Sequence, residues 1–180
     1  MLKNKTLCLM WVRGALCLLI VLNMAVIYYF SAQNGKESSE TSGRVTQAVA
    51  TVVVEDFAIK SEQEQQAIVE EMHPPVRKIA HMAEFGTLGL LVFLLLLTWR
   101  GNSYIKYGIS LLYTFLYACT DELHQILSES RGPQFSDVLI DTAGALLLCT
   151  LALAISLLVQ HYRRKKENEG NNISTEKRVA

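Results

Sequence analysis

The sequence predicts an all-α membrane protein with four transmembrane helices and short helices in the first extracytoplasmic loop. Three observations predict it. The chain of 180 residues is 51% hydrophobic, yet its formal net charge is zero. Its apolar residues gather in long stretches, as in a membrane protein and not as in a soluble core. Its Lys and Arg residues cluster in the flanks of those stretches. Zero net charge gives no electrostatic case for a nucleic acid partner. Cys8, Cys17, Cys119 and Cys149 lie in or beside apolar segments with no CxxC pair, so they read as small buried hydrophobes rather than as a disulfide or zinc set.

The elements follow in chain order. The first span is expected at residues 11–30, and its apolar stretch, from about Gly14 to Phe30, is preceded by Lys3, Lys5 and Arg13. Phe30-Ser31-Ala32 fits a signal-peptide cleavage site poorly, so this span reads as an uncleaved anchor. Residues 31–76 form a long outer loop. Within it, Val45, Ala48, Val49, Val52 and Val53 recur at helical spacing, and Ser61 with Glu64 forms a capping box ahead of Ala67, Ile68 and Met72. Two short helices are expected there, the second ended by Pro74-Pro75, with Pro75 in the first turn of the next span. The second span is expected at 77–99, the third at 104–127 and the fourth at 137–160. The third must include the polar run Thr120–Gln125 to reach the spanning length of about 20 residues. The tail, 167–180, has the composition of a disordered segment.

Orientation follows from the basic flanks. Lys3, Lys5 and Arg13, then Arg100 and Lys106, then Arg163, Arg164, Lys165 and Lys166 all fall on one side under four spans. That side is the cytoplasm by the positive-inside rule, which places both termini there. The first loop, rich in Glu, faces outward.

Ionisable residues inside a span are expensive and mark function by default. At a rise of about 1.5 Å per residue, Glu84 and Asp121 share a depth about 21–22 Å above the cytoplasmic border. His81, His124 and Asp141 fall slightly higher. Arg77, His81 and Glu84 form one helical stripe, Asp121, His124 and Gln125 a second, and Asp137, Asp141 and Gly144 a third. Gly144 lets a neighbouring helix approach closely. Glu122 points about 100° away from Asp121 and faces a different neighbour. Five carboxylates (Glu84, Asp121, Glu122, Asp137, Asp141) meet only Arg77, Lys78 and Arg131, so protonation, imidazolium, a metal ion or a cationic ligand group must make up the balance. His81 lies near the positive end of its helix, which favours a neutral imidazole. Asp137 has a plainer explanation as a first-turn acid behind an N-cap at Ser136.

These residues carry a resemblance. Phe30-Ser31-Ala32-Gln33 with Ser38, Ser39 and Ser42 is one block; Arg77-Lys78-Ile79-Ala80-His81-Met82-Ala83-Glu84-Phe85 with Leu88 and Gly89 is a second. Asp121-Glu122-Leu123-His124-Gln125, Arg131-Gly132, Asp137, Asp141 and Gly144 form a third. In order and spacing the chain resembles the VanZ-like family of bacterial integral membrane proteins. Met82, where the family pattern leads to an aromatic, and the segment 126–130 depart from it. The resemblance implies a single VanZ-like membrane domain over residues 1–166, multi-pass in the bacterial cytoplasmic membrane, and a cell-envelope function linked to low-level resistance to teicoplanin-type glycopeptides.

Three functions compete. The first is an outer-leaflet enzyme or binding site for an envelope lipid or lipid-linked precursor. There His81, Glu84, Asp121, Glu122 and His124 would be acids, bases or metal ligands, and Arg77, Gln125, Arg131 and Asp141 would hold the ligand. The spacing permits a divalent metal without demanding one. The second is a small proton-coupled transporter, although the cytoplasmic halves carry no matching polar site. The third is a non-enzymatic interaction protein whose polar cluster is a salt-bridged clamp.

Overall fold

A long helix, α3, organises the molecule. The computed structural model describes residues 2–32, 35–127 and 135–179. Among these the helices are α1 (Leu2–Ser31), α2 (Gly35–Val53), α3 (Glu62–Leu97), α4 (Ser103–Leu127) and α5 (Phe135–Val179), with a 3-10 turn at Phe57–Ile59. The described residues contain no strand. α3 packs against α1, α2, α4 and α5, and its contact with α5 is the most extensive.

Small residues explain that contact. A Cβ on Gly144 would run into the backbone carbonyl of Met82, and one on Gly86 would lie 3.0 Å from the Gly144 oxygen. One on Gly89 would come within 2.8 Å of Ala145 Cβ and 3.0 Å of Thr114 Oγ1. The helices therefore cross backbone on backbone, as small residues permit between apolar helices. The approach expected of Gly144 is present, with Met82 and Gly86 as its partners across the seam and Gly89 against Ala145 one turn on. Around it, Ile20 and Ile27 of α1, Phe85, Leu88 and Val92 of α3, Ala118 of α4 and Val138 of α5 form the main core, and Phe93, Cys149 and Leu153 form a second cluster.

The outward surface is as apolar as the core. Trp11, Leu18, Val21 and Leu22 on α1 and Leu139, Leu146, Leu147, Leu151 and Leu158 on α5 are all exposed. Contiguous apolar surface on this scale suits lipid and not water. Three helices are long and apolar enough to cross a membrane: Thr6–Ser31, Glu62–Leu97 and Phe135–Lys166. α4, at 25 residues, is long enough but is not among them. Tyr104, Tyr107, Tyr113 and Tyr117, Lys106 and the run Thr120–Gln125 dilute its apolar character. Of the cysteines, Cys149 is buried as expected, whereas Cys8 and Cys17 lie exposed on α1.

The structure corrects two expectations. Pro74 and Pro75 do not end a short helix; both lie inside α3, which runs unbroken from the capping box into the apolar span. The prolines leave the carbonyls of Glu70 and Glu71 without their usual donors, but both residues are exposed, so solvent can take over those bonds. The box itself forms as expected: Ser61 N–H donates to Glu64 Oε2 at 3.0 Å and Glu64 N–H to Ser61 Oγ at 3.4 Å. α5 runs past Lys166 to Val179, since extending a helix costs far less than nucleating one. Ser136 is not an N-cap, because α5 already begins at Phe135.

Hydrogen bonds fix the alignment of the bundle. Arg13 of α1 donates from Nε to Thr98 Oγ1 and from a terminal nitrogen to the Thr98 carbonyl, both at 3.0 Å, and lies over the Trp99 ring at 4.3 Å. Lys106 Nζ donates to the Trp99 carbonyl at 2.6 Å, and Gln160 Nε2 to Ser103 Oγ at 3.0 Å. The start of α1, the end of α3, the start of α4 and residue 160 of α5 thus share one end of the bundle. The polar residues of α3, α4 and α5 lie toward the other.

Candidate functional site

At that other end a cavity of about 160 Å³ opens between three helices. α3 contributes His73, Pro74, Arg77, Lys78 and His81; α4 contributes Gln125; α5 contributes Asp137, Ile140 and Asp141. Helical periodicity explains the choice. His73, Arg77 and His81 recur every fourth residue on one face of α3, and Asp137 and Asp141 stand one turn apart on α5. The glycine crossing below presses α3 against α5, so these faces are held toward each other where the helices part. Asp137 also sits in the first turn of α5, where a negative charge suits the helix dipole.

Two buried acids stand at this end, Asp141 in the cavity wall and Asp121 behind it. Asp121 and Asp141 are buried, with 7% and 6% of their surface exposed. Gln125 Nε2 donates to Asp121 Oδ2 at 2.9 Å, which joins Asp121 to a residue of the cavity lining. Ser31 Oγ at the end of α1 is buried beside Asp121 without a well-formed hydrogen bond to it. Glu84 lies within electrostatic reach of both Asp121 and Asp141, and Glu122 of Asp141. His81 has Asp121 and Asp137 as its charged neighbours. The His124 ring stands against Tyr28 at 4.8 Å, on the α1 side of α4, with Nδ1 buried and unpartnered.

The residues singled out from sequence therefore separate into layers. Arg77, His81, Gln125 and Asp141 line the cavity, together with Lys78 and Asp137. Glu84 and Asp121 sit behind it, while Glu122 and His124 are not in its wall. Arg131 lies outside the described residues. His73 was missed. It extends the Arg77–His81–Glu84 stripe back by one turn, so the signal was present, but a helix break expected at Pro74-Pro75 cut the stripe short. His73 Nε2 is 2.5 Å from Ser42 Oγ of α2, a hydrogen bond that ties α2 to the cavity rim.

Chemically, the wall offers guanidinium, ammonium and imidazole groups on α3 and two carboxylates on α5. Among the described residues, Arg77 and Lys78 form no ion pair with these acids. Also among the described residues, no group of three or more His, Cys, Asp or Glu side chains is placed to hold a metal ion.

Comparison with known proteins gives one result. The model of the VanZ/LLP1 family matches residues 16–158, most of the chain and all of the cavity-lining residues. No curated protein and no solved structure matches significantly.

Proposed function

Because the chain belongs to the VanZ/LLP1 family, we propose that it is a multi-pass protein of the bacterial cytoplasmic membrane whose cavity binds the phosphate-bearing headgroup of an outer-leaflet lipid or lipid-linked envelope precursor. In this reading α4 is the fourth span and both termini are cytoplasmic. The basic flanks support the orientation. Arg13, Lys106 and the α5 segment leading to Arg163, Arg164, Lys165 and Lys166 gather at one end of the bundle, which the positive-inside rule assigns to the cytoplasm. The cavity, at the opposite end, then lies at the outer headgroup level. Through this site the protein contributes to protection against teicoplanin-type glycopeptides, the activity the family resemblance implies.

The observation that carries the proposal is the cavity wall, where Arg77 and Lys78 face open space without a carboxylate partner among the described residues. Guanidinium and ammonium groups are the donors that recognise phosphate. A clamp would instead join the helices through ion pairs. Asp121 and Glu84 are set behind the wall, and His81 and Asp141 are the wall groups able to exchange a proton with a bound ligand.

The test is a deletion strain complemented with wild type, Arg77→Gln or Asp121→Asn at matched expression, read by teicoplanin susceptibility and by melting of the purified proteins. Loss of protection with an unchanged melting point for Arg77→Gln is expected. Full protection by both variants would sink the proposal. Loss of protection only in step with loss of melting point would return the cluster to a structural clamp.

A further inference from the structure

We propose that the cavity selects a zwitterionic headgroup carrying a phosphate and a primary amine, a refinement that rests on the headgroup-binding reading above. The cavity has two walls of opposite charge. Arg77 and Lys78 stand on α3; Asp137 and Asp141 stand one turn apart on α5. Opposite charges on one small cavity would be expected to collapse onto each other. Here they do not: among the described residues no ion pair crosses it, and about 160 Å³ stays open between them. The glycine crossing sets the separation of the two backbones from below, independently of the charges.

A purely anionic headgroup fits only half of this site. Its phosphate would satisfy Arg77 and Lys78 but would meet the carboxylates of Asp137 and Asp141 as like charges. A headgroup that also carries an ammonium places a cation against those carboxylates and satisfies both walls. The lining further decides which ammonium. Carboxylates recognise N–H donors, which a primary amine has and a trimethylammonium lacks. Cages for trimethylammonium are built from aromatic faces, and no Trp, Tyr or Phe is among the described lining residues. The wall therefore favours an ethanolamine-type head over a choline-type or a glycerol-type head.

The experiment uses the full-length protein in detergent, titrated separately with short-chain phosphatidylethanolamine, phosphatidylglycerol and phosphatidylcholine, with binding read by thermal unfolding and by native mass spectrometry. The ethanolamine lipid is expected to bind about tenfold more tightly than either of the others, the effect of roughly one charge-assisted hydrogen bond. Asp141→Asn is expected to erase that preference, and Arg77→Gln to weaken the ethanolamine and glycerol lipids alike. The wild-type comparison decides the question even if a variant fails to fold. Soluble phosphoethanolamine distinguishes the source: competition with the lipid assigns binding to the head alone, and lack of competition assigns it to the intact lipid. Phosphatidylglycerol binding as tightly as phosphatidylethanolamine, with both dependent on Arg77, would overturn the zwitterion inference and leave the phosphate-binding reading standing. Binding of all three lipids indifferent to Arg77→Gln would overturn both.

Discussion

The two ends of the helix bundle use charge in opposite ways. At one end two basic groups are bound into the helix ends: Arg13 is held by Thr98 and Trp99, and Lys106 by the Trp99 carbonyl. Those bonds tie α1 and α4 to the C-terminal end of α3, where backbone carbonyls are unsatisfied and a cation is favoured. At the other end Arg77 and Lys78 line a space with Asp137 and Asp141, and among the described residues none of the four closes on another across it. Charge at the first end stitches helices together. Charge at the second is kept available. The difference teaches that the presence of ionisable side chains in a span does not itself mark a site; whether the protein supplies their partners does.

The contrast can be broken most severely at the seam that holds both ends in register. Gly144→Leu should abolish the folded bundle, because its side chain would have to occupy the space of the Met82 backbone; overpacking of this kind costs about 1–3 kcal/mol, and more where backbone is the obstacle. Loss of a cooperative melting transition checks it, and a variant that melts like wild type would mean that the crossing is not tight. At the cavity end, Arg77→Gln should remove protection against teicoplanin while changing stability by less than about 0.5 kcal/mol, as for substitutions that break no internal contact. At the stitched end the reverse should hold. Arg13→Gln removes two charge-assisted hydrogen bonds and a cation–π contact, and should lower stability by about 1.5–3 kcal/mol, with protection falling only as far as the amount of folded protein does. If Arg13→Gln removed protection at full stability, or Arg77→Gln melted early, the two ends would not differ as argued.

Much of this division was legible in the residues. The spacing of Arg77, His81 and Glu84 and of Asp137 and Asp141 places them on helix faces, and Gly144 announces the close approach that α3 and α5 make. Periodicity fixes a face but not a depth from the surface, which is why sequence could not separate Arg77 and Asp141 in the cavity wall from Asp121 and Glu84 behind it. The helical offset of Glu122 from Asp121 did indicate a different neighbour for it, but sequence could not say that His124 turns away from the cavity. Those outcomes depend on the rotation of each helix about its own axis, which distant packing at Gly86, Gly89 and Phe85 determines. Pro74-Pro75 misled for a related reason. A proline's local preference for ending a helix was outweighed by the capped segment before it, the apolar span after it and the packing of α2 alongside. α4 is the hardest helix to read as a span from composition, because it carries the polar run of the site within its own length, and it is not among the three helices apolar enough to cross a membrane.

The smallest effect concerns that same extension of α3. If the segment from Ser61 to Pro75 serves only to carry His73 and Pro74 to the cavity rim, it should act as scaffold and not as chemistry. Ser61→Ala removes the side chain that receives the Glu64 N–H and itself donates to Glu64 Oε2 at 2.7 Å. Losing an N-cap costs about 1 kcal/mol, confined to an exposed first turn well away from the cavity. The variant should therefore show slightly earlier melting, faster amide hydrogen exchange in the first turns of α3, and unchanged teicoplanin susceptibility. A change in susceptibility equal to that of Arg77→Gln would mean that the outer turn touches the ligand itself, and the cavity rim would have to be redrawn to include the start of α3.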